Sequence, residues 1–106
     1  MQLEGVEWDN DKNETNKREH EGLSFEQAQY VFADSERLER LDRSEGNMSG
    51  EERWQTLGMV GRVLFVVYTE REESKRIISA RLADKPERRS YNGYYQIDGK
   101  GWRKAT

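Results

Sequence analysis

Gly61-Arg62-Val63-Leu64-Phe65-Val66-Val67-Tyr68-Thr69-Glu70 is the stretch on which the fold turns. In an extended chain successive side chains point to opposite faces. Val63, Phe65 and Val67 therefore face one way, and Leu64, Val66 and Tyr68 the other. Apolar side chains on both faces predict a central strand covered on both sides. On its N-terminal side, Gly61 offers a turn out of a second predicted strand, Arg53 to Met59. On its C-terminal side, the charged turn Glu70 to Ser74 leads into a third, Lys75 to Arg81. Strands joined by such short turns predict an antiparallel meander.

Working upstream, Ser44 to Gly50 is polar with two glycines and reads as a loop, and residues 36–42 as a short strand. Ser24 and Gln27 form a capping-box pattern, with Leu23 placed to staple onto Ala28. Phe25, Ala28, Val31 and Phe32 recur at helical spacing, which predicts a helix to about Asp34 with one face on the sheet. Asp9 can cap an earlier helix reaching His20, and Gly22 offers its stop. That first helix is very polar. Asn13, Asn16, Lys17 and His20 share one face. Val6-Glu7-Trp8 is an extended start. Downstream, Asp84 and Glu87 repeat the capping pattern, with Pro86 tolerated in the first turn, and predict a helix from Lys85 to Tyr95. The order predicts an α+β fold, an antiparallel sheet with two N-terminal helices and one C-terminal helix packed on it. Residues 1–95 read as one domain and 96–106 as a basic tail.

Composition narrows the chemistry. The chain has 106 residues, 33% hydrophobic and 37% charged, a lean core in a charged coat. It has no cysteine, which removes disulfides, thiolate metal sites and thiol nucleophiles. His20 is the single histidine, so a histidine-cluster metal site is excluded too. No cofactor is expected. No apolar run approaches the roughly 20 residues a membrane span needs, and the acidic start lacks the form of a signal peptide, so a cytoplasmic protein without membrane partners is expected. Charge is uneven. Residues 1–61 hold 15 acids against 7 bases, a balance of −8, whereas residues 62–106 hold 6 against 11, a balance of +5. A basic half on an acidic protein fits either an anion such as RNA or a scattered, solvated surface.

Three segments carry a family resemblance: Trp8-Asp9 through Lys12-Asn13, Asn16 and His20 to Gly22-Leu23-Ser24-Phe25-Glu26 and Ala28; then Glu52-Arg53-Trp54 with Gly58; then Gly61 to Glu70, continuing through Arg76 to Arg81, Ala83 and Glu87-Arg88 to Tyr91. In this order and spacing they resemble the BrnT-type ribonuclease toxins of type II toxin–antitoxin systems. The chain departs from that pattern at Glu21, an extra residue before Gly22, at Glu19, where the family usually has lysine, and at Lys17, a position often aliphatic. The resemblance implies a RelE-like α+β fold and metal-independent cleavage of RNA. It also implies a BrnA-type antitoxin partner, through which alone the pair would meet DNA.

Cutting RNA without a metal requires a base for the 2′-OH, cations for the phosphoryl charge and an acid for the leaving oxygen. Histidine is the residue type suited to proton transfer near neutral pH, which makes His20 the candidate acid or base; otherwise it is a helix-end residue fixing the loop to Ser24. Arg81 is the preferred phosphate ligand, since its fork matches phosphate oxygens; otherwise it pairs with the last helix. In a regular strand it shares a face with Ser79 and Ile77, with Arg76 opposite unless a bulge intervenes. Arg53 and Tyr91 complete the candidate catalytic set. Lys12, Arg62, Lys75, Arg76, Arg88 and Arg89 are the further cations expected to hold RNA. Tyr94, Tyr95 and Trp102, lying among Lys100, Arg103 and Lys104, can stack single-stranded RNA, bind an antitoxin or stay disordered. Trp8 and Trp54 read as core anchors. The competing function is a non-catalytic or degenerate RNA- or protein-binding domain acting with its antitoxin in operon control.

Overall fold

In a computed structural model that describes residues 2–43 and 51–106, the apolar stretch forms β4 (Arg62–Arg71), inside a six-stranded sheet. The other strands are β1 (Val6–Trp8), β2 (Leu38–Leu41), β3 (Trp54–Val60), β5 (Ser74–Leu82) and β6 (Arg103–Lys104), in the order β1-β5-β4-β3-β2-β6. β3, β4 and β5 form the expected meander. The expected loop at 44–50 lies outside the described residues. One pairing departs from the antiparallel expectation. β1 runs parallel to β5, because α1 (Asn10–Glu19) follows β1 directly and no hairpin joins the two strands.

Helices cover both faces, as the two-sided apolar pattern of β4 demands. On one face Leu64, Val66, Ile77 and Ala80 pack against Val6, Phe25, Ala28 and Val31. On the other, Val63, Phe65 and Val67 join Leu38, Leu57, Ala83 and Trp102. The capping box at Ser24 and Gln27 starts α2 (Phe25–Ala28), which tightens into a 3₁₀ turn over Gln29–Ala33 rather than remaining α-helical to Asp34. This turn sits very close to the sheet. A Cβ on Gly58 would lie 2.7 Å from the Cβ of Val31, so only glycine lets the two backbones approach this far.

α1 docks by amides where most helices use an apolar stripe. Asn13 and Asn16 are its buried residues. Asn13 Oδ1 accepts from the Phe25 N–H at 2.8 Å, and its Nδ2 donates to Glu26 at 2.7 Å. Asn16 Oδ1 accepts from the Ala80 N–H at 3.1 Å while its Nδ2 donates to the carbonyls of Ala80 at 2.9 Å and Leu23 at 3.0 Å. β1 pairs with β5 only as far as Ile77, so the Asn16 amide takes over the ladder one turn further along.

The C-terminal segment corrects the expectation in two respects. The Asp84 and Glu87 capping box starts α3 (Lys85–Arg89) as read, but a π-type turn over Ser90–Tyr94, with Gly93 at φ 117°, separates it from α4 (Tyr95–Asp98). Residues 96–106 do not form a separate tail. Trp102 is 5% exposed, edge-on to Phe65, and β6 pairs with β2. A large ring beside glycines that let the chain fold back buries itself despite its basic neighbours.

Candidate active site

α1 ends at His20, where the chain reverses through two consecutive residues of positive φ, Glu21 at 54° and Gly22 at 84°. The reversal is closed by the Gly22 N–H donating to the Lys17 carbonyl at 2.8 Å and that of Leu23 to His20 at 3.0 Å. Glu21, the extra residue of the sequence reading, adopts a conformation that costs a non-glycine residue about 1 kcal/mol. That strain sits beside the one histidine. His20 is half-buried and lines a cavity of about 230 Å³ with Leu23, Gln27, Arg62, Leu64 and Leu82. It also lines a second cavity, of about 340 Å³, with Lys12, Glu19 and Ser79. Arg62 is exposed at the first position of β4 and makes no ion pair among the described residues. An imidazole thus shares one cavity with a guanidinium that makes no ion pair among the described residues, and a second cavity with a lysine.

Across the end of the same sheet, Arg81 is held internally. Its fork grips Glu87 through two hydrogen bonds of 2.8 and 2.9 Å, and its guanidinium lies 4.0 Å from the centre of the Phe65 ring. The Glu87 carboxylate raises the pKa of Arg81. Glu87 also closes the α3 capping box, so Arg81 secures the start of that helix. Tyr91 donates its phenol proton to Asp34 at 2.5 Å. Burial, then the bond to this carboxylate, raise the pKa of Tyr91 well above a free phenol's. Burial alone would raise the pKa of Asp34, but the Tyr91 hydroxyl and the amides of Met59 and Glu36 outweigh it and hold the carboxyl below its usual range. The Tyr91 proton is committed to this bond. Arg88 donates to the Ala83 carbonyl at 2.9 Å.

The remaining candidates lie elsewhere. Arg53 precedes β3, and Lys75 and Arg76 begin β5, all at the opposite end of the meander from Arg62. Lys75 pairs with Glu70, Arg76 with Glu7, and Arg89 with Asp98. A bulge at Ile78 shifts the register, so that Thr69 faces Arg76 and Phe65 faces Arg81. Arg76 and Arg81 therefore share a face, and Ile77 lies on the opposite one, packed in the other core. Among the described residues no three His, Asp or Glu side chains are grouped as a metal centre would need. One basic cavity escaped the linear reading. Arg40 and Arg43 meet Trp54, Gln55, Lys100 and Arg103, which come from β2, β3 and the C-terminal segment. No spacing rule links residues so far apart; the paired charges of Lys100 and Arg103 were the one available hint.

Residues 8–87 match the model of a family described as the ribonuclease toxin, BrnT, of type II toxin–antitoxin systems. The chain belongs to the BrnT family. The matched span runs from the end of β1 into α3 and holds His20, Arg62, Arg81 and Glu87; Tyr91 and Trp102 lie beyond it. No curated protein matches the sequence. The fold is similar to the crystal structure of the ribonuclease toxin BrnT of Brucella abortus, with a TM-score of 0.53 and 18% identity over 76% of this chain and 96% of that one. The BrnT likeness thus embraces the meander and the helices that present His20. Among the described residues no helix is long and apolar enough to cross a membrane.

Proposed function

We propose that the chain is the toxin of a type II toxin–antitoxin module and cuts RNA without a metal, through attack of a 2′-OH on the adjacent phosphorus. The observation that carries this reading is the family match over residues 8–87. The His20–Arg62 cavity is the place in the fold where the chemistry fits best. His20 takes the 2′-OH proton, the new 2′-O–P bond forms, and the P–O5′ bond breaks. Arg62 holds the non-bridging oxygens as their charge grows. The leaving oxygen takes its proton from water, with Lys12 adding positive charge from the second cavity. Arg81 acts by fixing α3 at this end of the sheet, and Tyr91 by tying that segment to Asp34. A RelE-like arrangement, a BrnA-type antitoxin that covers the site, DNA contact through that complex alone, and action in the cytoplasm complete the reading.

The test is cleavage of a labelled RNA by wild type, His20→Ala and Arg62→Ala, in chelator, beside a 2′-deoxy copy of the substrate, together with growth after induction. Wild type should cut the RNA, spare the deoxy copy and arrest growth. His20→Ala should lose about 10²–10⁴ in rate, as loss of a general base does. A soluble wild type that leaves RNA and growth untouched sinks the reading. Cleavage that survives His20→Ala moves the chemistry elsewhere.

A further inference from the structure

We infer that the basic cavity between β2, β3 and the C-terminal segment is an RNA-strand anchor, separate from the His20 cavity, that holds phosphates on Arg40, Arg43, Lys100 and Arg103 and a base against Trp54. The inference rests on the ribonuclease reading for the identity of the strand, but its geometry is independent of that reading. The cavity has a volume of about 580 Å³, and among the described residues no carboxylate lines it. Arg40 is half-buried and rigid: its Nε donates to Gln55 at 2.7 Å, its Nη1 to the Lys100 carbonyl at 2.7 Å, and its guanidinium lies 4.1 Å from the centre of the Trp102 ring. Desolvation lowers its pKa. Among the described residues Arg40, Arg43 and Lys100 make no ion pair, and Arg103 makes one exposed contact of 3.4 Å with Glu39. Four cations face one cavity, with Arg103 paired to Glu39 at the rim and Glu87, Asp42 and Asp84 acting on Arg40 only through space, and an anion seated among them is attracted by all four.

The aromatic component selects nucleic acid over a plain anion. Trp54 is half-buried, with the Arg103 guanidinium 5.6 Å from its ring centre. An indole beside guanidinium groups offers a base a face to stack on while the cations track the backbone. The band also continues. Lys100 lines the neighbouring cavity with Lys85, Arg88 and Arg89, where Arg89 lies 4.0 Å from the centre of the exposed Tyr94 ring. From there Lys85 and Ala83 lead back to Leu82, which lines the His20 cavity. A strand anchored at Trp54 can therefore follow α3 to the rim where the chemistry is proposed.

The probe is a short fluorescein-labelled oligouridylate, 2′-O-methylated so that it binds without being cut. Anisotropy is titrated at several salt concentrations for wild type and for the double variant Lys100→Glu/Arg103→Glu, with urea midpoints showing that both are folded. The variant should bind about tenfold more weakly or worse, and its salt slope should fall by about 1.4, two lost single-strand phosphate contacts. Tryptophan emission should be quenched on binding, and the quench should disappear in Trp54→Phe. Equal binding by the variant, no binding by wild type, or an unmoved Trp54 signal overturns the assignment. So does equal competition by polyglutamate, which would make the cavity a protein-docking surface. Cleavage of the unmodified oligonucleotide is measured in parallel. Groove-dependent binding without cleavage keeps the anchor and removes the ribonuclease reading; cleavage with groove-independent binding does the reverse.

Discussion

Replacing Asn16 with alanine removes one amide and leaves three backbone groups without their partner. The side chain is 4% exposed and is engaged at both ends, by the N–H and carbonyl of Ala80 and by the carbonyl of Leu23. A net hydrogen bond is worth about 1 kcal/mol, and orphaned buried groups cost more. Some water reaches the gap, so the loss should be about 3 kcal/mol. A chain of this size has roughly 5–15 kcal/mol in all. With a urea slope of about 1.5 kcal/mol/M, the unfolding midpoint should fall by about 2 M. Thr15→Ala, one position along the same helix, is the control and should stay within about 0.5 kcal/mol. A loss below about 1 kcal/mol for Asn16→Ala would refute the view that this amide extends the β5 ladder. His20 ends the same helix, so the variant should also lower RNA cleavage more than its folded fraction explains.

Tyr91→Phe tests the bond to Asp34. Because the folded-state pKa of Asp34 lies below its unfolded value near 3.9, its stabilisation is in place above that pH and is lost as pH falls through the folded value. Tyr91 behaves oppositely: its raised pKa gives stabilisation that is complete below about pH 10 and is lost as pH rises through the folded value. Urea unfolding should show the variant weaker by about 1 kcal/mol at pH 7, the gap narrowing as pH falls below about 4 and again above about pH 10; a gap independent of pH would speak against the pair. Trp102→Ala should cost about 3–5 kcal/mol, the range for a large buried aromatic. An unchanged thermal midpoint would mean that residues 96–106 do not belong to the core.

Local patterns told most of the fold. The two-sided apolar run of β4, the glycine turn at Gly61 and both capping boxes act over a few residues, and each stands where the sequence placed it. The failures involve partners far apart in the chain. Asn13 and Asn16 were seen to share a face, but a polar face normally signals solvent, and only the bare edge of β5 makes it a docking face. The bulge at Ile78 leaves no mark in the alternation of Lys75 to Arg81, so strict alternation puts Ile77 on the side of Arg81, whereas the structure puts it on the other. Trp102 looked like tail chemistry because its neighbours are basic. At the candidate site, His20 and Arg62 are each legible by residue type, but their sharing a cavity depends on α1 docking on β5 through Asn16, so that its end comes to the start of β4. Arg81 was legible as a cation, and its alternative role, pairing with the last helix, is the contact seen with Glu87.

The order of the strands also bears on how the molecule comes apart. The three central strands are joined by tight turns at Gly61 and Glu72-Glu73, whereas both borders of the sheet come from remote segments, residues 6–8 and 103–104. Local hairpins close early at small loop entropy, and distant pairings must wait for them. Amide exchange should therefore be graded, slowest along β4 and fastest along β1 and β6, with the rims opening in excursions that leave the middle intact. Whatever grips the β6 border would then slow exchange there first, well before it moved the temperature at which the whole chain melts.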